Sequence, residues 1–555
     1  MILNRSDYIA SMTKIITNNS KFIEINDEIK GVIRGAENKI NNFLLELKKL
    51  HHISDNLYQK LRSTGAAPGV LYGLPKIHKA DFSAKFQCRP IFAAYSCAAY
   101  NLSTFLVTIL NPISKNSFTV ENSKTFLQEL YKIDNSSELF MASYDIQDLY
   151  TNVPLRETID ICIESLNDGS GSIYDLPIKM FKNVLELSVF NSIFMFNSKY
   201  YKQVDGLGMG LPLSPTLANI FLCYHENKWL NECPESFKTL IYKRYMDDTF
   251  ALFTDRTHIS KFLDYLNSKH ENLKFTYEVE INGRLPFLDC LIERQNNKFV
   301  SSVYRKPTFT GLGLNYLSYI FETFKLNSVR TLVHRAYVVS SSYINFHREL
   351  SFLVEYFFLN GFPRAIVYRE IRKFLNRITY PKPVYTTAAK FKLFVSLPYF
   401  GYHSEKLKLE IERIMGKYFP QIDLRIVLSN KNNIGSFFRY KDVIPIMQRP
   451  SVVYKYSCGQ CSSTCYVGST TRPLYKRVAE HLGCSFYTGK PLKSPKETAI
   501  LAHSTNSKHP GERDNFKIIG TTNGEISLRI LESLLILRDK PILNKALSSF
   551  PLNIV

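Results

Sequence analysis

Two adjacent carboxylates, Asp247 and Asp248 of the tetrapeptide Tyr245-Met246-Asp247-Asp248, are the first residues in this chain whose types and spacing imply chemistry. Neighbouring aspartates repel one another and resist a dry site unless a cation lies between them, so their productive use is to hold Mg²⁺. Mg²⁺ on carboxylates points to phosphoryl transfer. The flanks Leu240-Ile241-Tyr242-Lys243-Arg244 and Thr249-Phe250-Ala251-Leu252-Phe253 are β-prone, which places the pair at the tip of a hairpin. Upstream, Leu139-Phe140-Met141-Ala142-Ser143-Tyr144 reads as a buried strand ending at a third acid, Asp145.

Between these acids lies Gly206-Leu207-Gly208-Met209-Gly210-Leu211-Pro212-Leu213-Ser214-Pro215-Thr216-Leu217-Ala218-Asn219-Ile220. Glycines, lacking a Cβ, let backbone come close to a bound nucleotide and template. The Ser-Pro step then starts a helix predicted over 215–229. Two metal ions bridged by such carboxylates would activate a primer 3′-hydroxyl and stabilise a leaving pyrophosphate, the two-metal chemistry of polymerases. Asp148, close by, reads as an exposed or capping carboxylate.

A second group of reactive residues lies near the C-terminus, where Cys458, Cys461, Cys465 and Cys484 crowd together and suggest a local metal or structural role. Cys458-x-x-Cys461 with Cys465 could be a zinc knuckle, and His503 and His509 could complete a Cys₂His₂ site for Zn²⁺. The alternative is buried thiols beside polar surface histidines. Glu532 lies in Leu528-Arg529-Ile530-Leu531-Glu532-Ser533-Leu534-Leu535-Ile536-Leu537, where a lone acid in an apolar helix needs explaining.

The elements that must position these residues can be outlined from pattern. At 555 residues the chain exceeds what one core supports. Residues 1 to about 65 are helical in period, with Ile40, Phe43, Leu44, Leu47 and Leu50 on one face. A Pro-punctuated basic segment holds Leu71-Tyr72-Gly73-Leu74-Pro75-Lys76-Ile77-His78-Lys79 and Arg89-Pro90-Ile91, after which strand and helix signals alternate from 139 to 305. That alternation predicts an α+β catalytic core. From 320 to 380 the period is helical and basic, with Arg330, Arg335, Arg364, Arg369 and Arg372 among aromatics, as suits a nucleic-acid clamp. A connector with a small fold of its own follows, and a distinct module begins near 450.

The formal charge of +21 is spread along the chain, and with 34 Tyr and 39 Phe available for base stacking it favours a polyanion partner over a merely basic soluble protein. Met1-Ile2-Leu3-Asn4-Arg5-Ser6-Asp7 turns polar too soon for a signal peptide, and no run reaches the roughly 18 apolar residues of a membrane span. The expectation is an intracellular protein without structural disulfides and with no membrane partner.

Asp145, the Met-Gly-x-Pro-Leu-Ser-Pro loop and the Tyr-Met-Asp-Asp box resemble motifs A, B and C of reverse transcriptases in order and spacing. Tyr-Gly-Leu-Pro-Lys-Ile-His-Lys with Arg-Pro-Ile narrows the resemblance to Penelope-like retroelements, relatives of telomerase. It implies a right-hand polymerase: N-terminal helices and fingers over 1–135, palm over 136–310, helical thumb over 311–385 and connector over 386–450. Asp145 and Asp247 would hold two Mg²⁺ with the Ile146 carbonyl as auxiliary ligand and Asp248 near the primer end. Tyr150 would exclude a ribose 2′-hydroxyl, favouring dNTPs; Met209 and Gly210 would floor the nucleotide pocket. Lys76, Lys79 and Arg89 would meet template or triphosphate. Leu285-Pro286-Phe287-Leu288-Asp289 looks like the primer grip, and Lys274 would be a general acid for pyrophosphate. Members usually carry an Asp-Lys-Gly fingers motif before the point where this chain begins, so the chain looks truncated at its N-terminus.

Val452-Val453-Tyr454-Lys455-Tyr456, Tyr466-Val467-Gly468-Ser469-Thr470, Arg477, His481, Glu532 and Asn544 resemble a GIY-YIG endonuclease over 451–555, although Val-Val-Tyr stands where Gly-Ile-Tyr is usual. Arg477 and His481, four apart, share a helix face. The resemblance implies that Arg477 meets the scissile phosphate, that His481 meets a tyrosine hydroxyl, that Glu532 holds one Mg²⁺, and that Tyr466 or Tyr454 activates the nucleophile. The whole would nick a DNA target and copy an RNA template from the exposed primer end, in the nucleus. The alternative is an inert or domesticated nucleic-acid-binding remnant.

Overall fold

The strands that bear the acidic residues are mostly apolar on both faces, which requires cover on both sides of their sheet. The computed structural model describes residues 4–17, 20–76, 87–133, 139–167, 169, 171–295, 297–381, 391–430, 442–461, 463–522 and 524–544. The chain divides into two units: Lys115–Leu149 with Cys223–Arg439, and Met1–Ser114 with Tyr150–Leu222 and Tyr440–Val555. Both mix helices and sheets, as the α+β reading expects.

In the unit with the acidic residues, an antiparallel sheet runs in the order Phe275–Val279, Phe140–Ile146, Asp248–Phe253, Ile241–Tyr245. Met141, Phe250 and Leu252 join a core with Phe126, Leu127 and Leu130 of the helix Ser123–Leu130. From the opposite face Tyr144 and Phe253 meet Phe262 of the helix His258–Asn267, with ring centroids 5.5 and 5.6 Å apart. Successive side chains thus enter two covered cores, which is why these strands read as unbroken apolar runs. Arg284–Phe287, Cys290–Gln295 and Lys298–Val303 form a further sheet. Leu288, at its first turn, takes φ +57°, and Asp289 accepts from Arg335 Nε at 2.8 Å.

The basic helical stretch becomes the helices Glu322–Val339, Tyr343–Leu359 and Arg364–Thr379. Val329, Val333 and Ala336 of the first interlock with Leu353 and Phe357 of the second and Val367, Ile371 and Phe374 of the third, the residues of each set three or four apart. The expected connector is a strand–helix–strand unit, Phe391–Pro398, Tyr402–Tyr418 and Ile422–Ser429, whose strands run parallel.

In the other unit the N-terminal stretch is helical over Arg5–Thr17, Ile29–Lys49 and Asp55–Leu61. It departs from the all-helical expectation at Phe22–Glu24, a short edge strand paired with Lys199–Gln203. That pairing is non-local, so local periodicity carries no trace of it. The sheet continues through Ile193–Phe196 and Gly69–Pro75 to Cys88–Ala93. The C-terminal segment forms a sheet in the order Cys465–Thr470, Val452–Ser457, Phe516–Thr521, flanked by the helices Leu474–His481, Ala499–Ser507 and Glu525–Asp539. Among the described residues no helix is long and apolar enough to cross a membrane.

Candidate active sites

Asp248 opens its strand directly opposite Asp145 on one side and Tyr245 on the other. Directly opposed residues of an antiparallel pair share a face, so Asp145 and Asp248 project together, with Asp247 in the two-residue turn beside them. Met246 in that turn has φ +56°. Two bonds hold it there: Arg244 Nη1 donates to the Met246 carbonyl at 3.1 Å, and the Ile146 N–H donates to the Asp247 carbonyl at 3.2 Å. Desolvation, then the charges of Asp247 and Asp145, push the Asp248 carboxyl up to about 6, against the opposing charge of Lys306. Part of the Asp248 side chain still reaches solvent, so a cation has access to the acids that repel each other. Lys274 is exposed at the start of the neighbouring strand, its carbonyl accepting from the Gln147 N–H at 2.9 Å. Asp148 is exposed with φ +48°.

A second site lies in the C-terminal segment, all within its own unit. Tyr454, on the central strand, is fully buried, and its hydroxyl lies 2.7 Å from His481 Nε2 and 3.2 Å from Arg477 Nε. Arg477 donates to the phenol oxygen, which leaves the phenol proton for His481 Nε2. Burial, then the Arg477 charge, push the His481 imidazole down to about 3, so the ring is neutral and can accept. Its other nitrogen, Nδ1, is buried without a hydrogen-bond partner among the described residues. The neighbouring strand brings Tyr466 beside Tyr454, ring centroids 6.4 Å apart, and Gly468 makes this possible. A Cβ at that position would meet Tyr454 Oη and Tyr466 Cε1, each at 2.6 Å.

Tyr466, Arg477, His481, Glu532 and Asn544 line one cleft of about 730 Å³. Glu532 accepts from the Ser469 hydroxyl at 2.9 Å. The Asn544 amide clamps the Val467 backbone, accepting from its N–H at 2.9 Å and donating to its carbonyl at 2.8 Å. In the same segment, Cys458, Cys461, His503 and His509 bring one ligand atom each within 4.8 Å of one another. Cys461 Sγ lies 3.3 Å from His509 Nδ1. Cys465 and Cys484 are not members of this group, which narrows the expected knuckle to two sulfurs and two imidazoles.

Residues 77–280 match the family described as reverse transcriptase (RNA-dependent DNA polymerase). The chain carries a reverse transcriptase domain. Residues 312–372 match the animal helix-turn-helix domain, a span containing the first two basic helices and the start of the third. Similar solved structures include telomerase from Candida albicans, at 12% identity and TM-score 0.45, covering 67% of this chain and 61% of that one. Telomerase from Candida tropicalis is similar at 11% identity and TM-score 0.38, covering 67% and 62%. The Sicinivirus RNA-dependent RNA polymerase 3Dpol is similar at 14% identity and TM-score 0.34, covering 58% and 71%. The chain thus spans about three fifths of the length of the two telomerases. No curated protein matches.

Reverse transcriptase domains generally use Mg²⁺, and the donor set fits it: all-oxygen ligands whose mutual repulsion a divalent cation relieves. The reverse transcriptase domain's other expected residues lie in the second unit. Tyr150 is half-buried in the short helix Leu149–Asn152, and its carbonyl accepts from the Leu207 N–H at 2.6 Å. The Met209 carbonyl accepts from the Phe92 N–H at 2.7 Å. Gly210 has φ +119°, and a Cβ there would lie 2.2 Å from the Phe92 carbonyl oxygen, so only glycine fits. Arg89 is exposed on the strand opposite Leu74, and the Lys76 N–H donates to the Gln87 carbonyl at 2.9 Å. Lys79 falls outside the described residues.

Sequence reasoning passed over Arg244 and Glu226, the buried ion pair beneath the reverse transcriptase turn. The available signal was an arginine inside a β-prone apolar run, which must find an acid when buried.

Proposed function

We propose that this chain is a Penelope-like retroelement protein, an RNA-directed DNA polymerase whose C-terminal GIY-YIG-type module nicks DNA to create the primer that the polymerase extends. The observation that supports this reading is the presence in one chain of two separate groups of residues suited to phosphoryl transfer, the Asp145/Asp247/Asp248 cluster and the Tyr466/Arg477/His481/Glu532 cleft. In the first, Asp145, Asp247, Asp248 and the Ile146 carbonyl would hold Mg²⁺, which when bound activates the primer 3′-hydroxyl and neutralises the leaving pyrophosphate. Tyr150 sets the preference for dNTPs by crowding the place of a 2′-hydroxyl, and the basic helices over 312–372 grip the RNA template and DNA primer.

In the second, the Arg477 guanidinium faces the scissile phosphate and Glu532 is the carboxylate for one Mg²⁺. Tyr454 is sealed from solvent and orients Arg477 and His481, whereas Tyr466 lines the cleft and is the hydroxyl that meets the attacking water. Cys458, Cys461, His503 and His509 would hold a structural Zn²⁺ that ties the strand end to the following helix.

The test is primer extension on an RNA template with Mg²⁺ and dNTPs, run beside nicking of supercoiled DNA. Asp247→Ala abolishes extension and spares nicking; Arg477→Ala and Glu532→Ala do the reverse. Wild-type extension no greater than that of Asp247→Ala would mean an inert remnant, and preference for rNTPs would mean an RNA polymerase.

A further inference from the structure

The helix Leu474–His481 presents side chains in two directions. Arg477 and His481 turn to Tyr454, while Tyr475 and Lys476 turn to the N-terminal helix Ile29–Lys49 of the same unit. Lys476 Nζ lies 3.2 Å from Glu37 Oε2, and the two residues are only 9% and 5% exposed. The second carboxylate oxygen of Glu37 accepts from the N–H groups of Gly65 and Ala66 at 2.6 and 3.1 Å. One side chain therefore joins three segments of the chain.

The rest of this contact is equally specific. Lys30 Nζ stands 5.2 Å from the Tyr475 ring centroid, and the Arg34 guanidinium stands 4.2 Å from that of Tyr487. Lys30, Arg34 and Glu37 follow the four-and-three spacing of a single helix face. Gly65, at φ +86°, lies under the residues that lead into the helix: a Cβ there would meet the Thr471 carbonyl oxygen at 2.6 Å and Arg472 Cα at 2.7 Å. Glu37 is also the one charged side chain among the buried residues of its helix, between Ile33 and Ile40. A carboxylate is tolerated there because a cation meets it; alone, neither charge could stay buried.

We propose that the helix Ile29–Lys49 and the loop at 63–66 are the seat of the nuclease helix, and that Glu37 is a positioning residue for Arg477 and His481, acting through Lys476. This rests on the nuclease reading above. The nuclease is then not an independent module: its phosphate-facing arginine is aimed by a residue at the opposite end of the sequence.

The test uses the full chain with Glu37→Gln, Lys476→Met and the double variant. Glu37→Gln keeps an oxygen for the Gly65 and Ala66 amides but faces Lys476 without a charge. Each single variant leaves one buried group unpaired, so amide hydrogen exchange over 474–481 should accelerate about a hundredfold, and the double variant should recover much of the protection. Nicking kcat should fall in the singles with KM for plasmid unchanged and recover in the double, while primer extension stays at the wild-type level. Unchanged exchange over 474–481 in both singles overturns the seat. Faster exchange with unchanged nicking overturns the positioning role. If the wild type nicks no better than Arg477→Ala, the nuclease reading fails, and exchange alone still decides the seat.

Discussion

Arg244 and Glu226 form a two-pronged ion pair sealed from solvent, with Nε 2.5 Å from Oε1, Nη2 3.0 Å from Oε2, and side-chain exposures of 0% and 2%. Tyr242 donates to the same carboxylate at 2.9 Å and Asn116 at 3.2 Å, so its acceptors are filled. The remaining guanidinium nitrogen reaches the Met246 carbonyl in the turn that holds Asp247. One arginine thus ties the helix Ser214–Glu232 to the carboxylate turn and holds a non-glycine residue at positive φ.

Arg244→Met should therefore cost about 3–5 kcal/mol of stability, because Glu226 is left buried and unpaired, whereas Arg244→Met with Glu226→Leu should cost much less. Arg244→Lys keeps the charge but loses the fork and the bond to the turn. It should lower extension kcat about tenfold or more with a smaller loss of stability. Equal unfolding midpoints for Arg244→Met and the double variant would contradict the ion-pair account, and full activity in Arg244→Lys would contradict the role assigned to the Met246 bond.

Gly468→Ala tests the nuclease cleft from the opposite direction, by adding atoms. The new methyl would collide with both tyrosine rings, and overpacking of this kind costs about 1–3 kcal/mol. Nicking should drop about tenfold to a hundredfold while extension is retained. Wild-type nicking in this variant would show that the Tyr454–Tyr466 spacing is irrelevant to catalysis.

The hairpin around Asp247 and the strand to Asp145 were legible because a sheet covered on both faces leaves unbroken apolar runs that stop at the acids. The helix predicted over 215–229 extends to Ser214–Glu232, its Ser-Pro start visible and its polar end, Asn231-Glu232, not. What could not be read was pairing between distant segments. Phe22–Glu24 is a strand only because Lys199–Gln203 lies beside it, and Asp145 faces Asp248 only through the register of their two strands. Gly69–Pro75 runs parallel to Ile193–Phe196, a match for which no local signal exists. Buried charges were half legible. Glu532 stands out in its apolar helix, but Glu226 sits next to the polar run Asn227-Lys228 and looks like surface, and Glu37 looks like one more charge on a basic helix.

The depressed imidazole of His481 has a pH consequence. Its ordinary value of 6.5 falls to about 3 in the folded protein, so below pH 6.5 the unfolded chain binds a proton that the folded chain refuses. The stability contributed by the neutral ring is complete above about pH 6.5 and is lost as pH falls towards 3, with a slope of at most about 1.4 kcal/mol per pH unit. Replacing the ring by His481→Gln should flatten this part of the acid-unfolding curve, read as melting temperature between pH 7 and 4. An unchanged slope in the variant would show that the imidazole is already charged in the fold.

Metal removal probes the Cys458, Cys461, His503 and His509 group. Two sulfurs and two imidazole nitrogens within 4.8 Å of each other match a closed tetrahedral Zn²⁺ site. Cys458 and Cys461 follow the central strand Val452–Ser457, His503 lies within the helix Ala499–Ser507 and His509 just after it, so a bound ion would cross-link these two elements. Protein purified without chelator should contain about one zinc per chain, and affinity should fall as pH is lowered because each ligand must shed its proton. Cys461→Ala should lose the metal and lower the melting temperature while leaving primer extension intact. Zinc-free protein whose Cys458 and Cys461 react with a thiol reagent as fast before chelation as after it would remove the basis for this site.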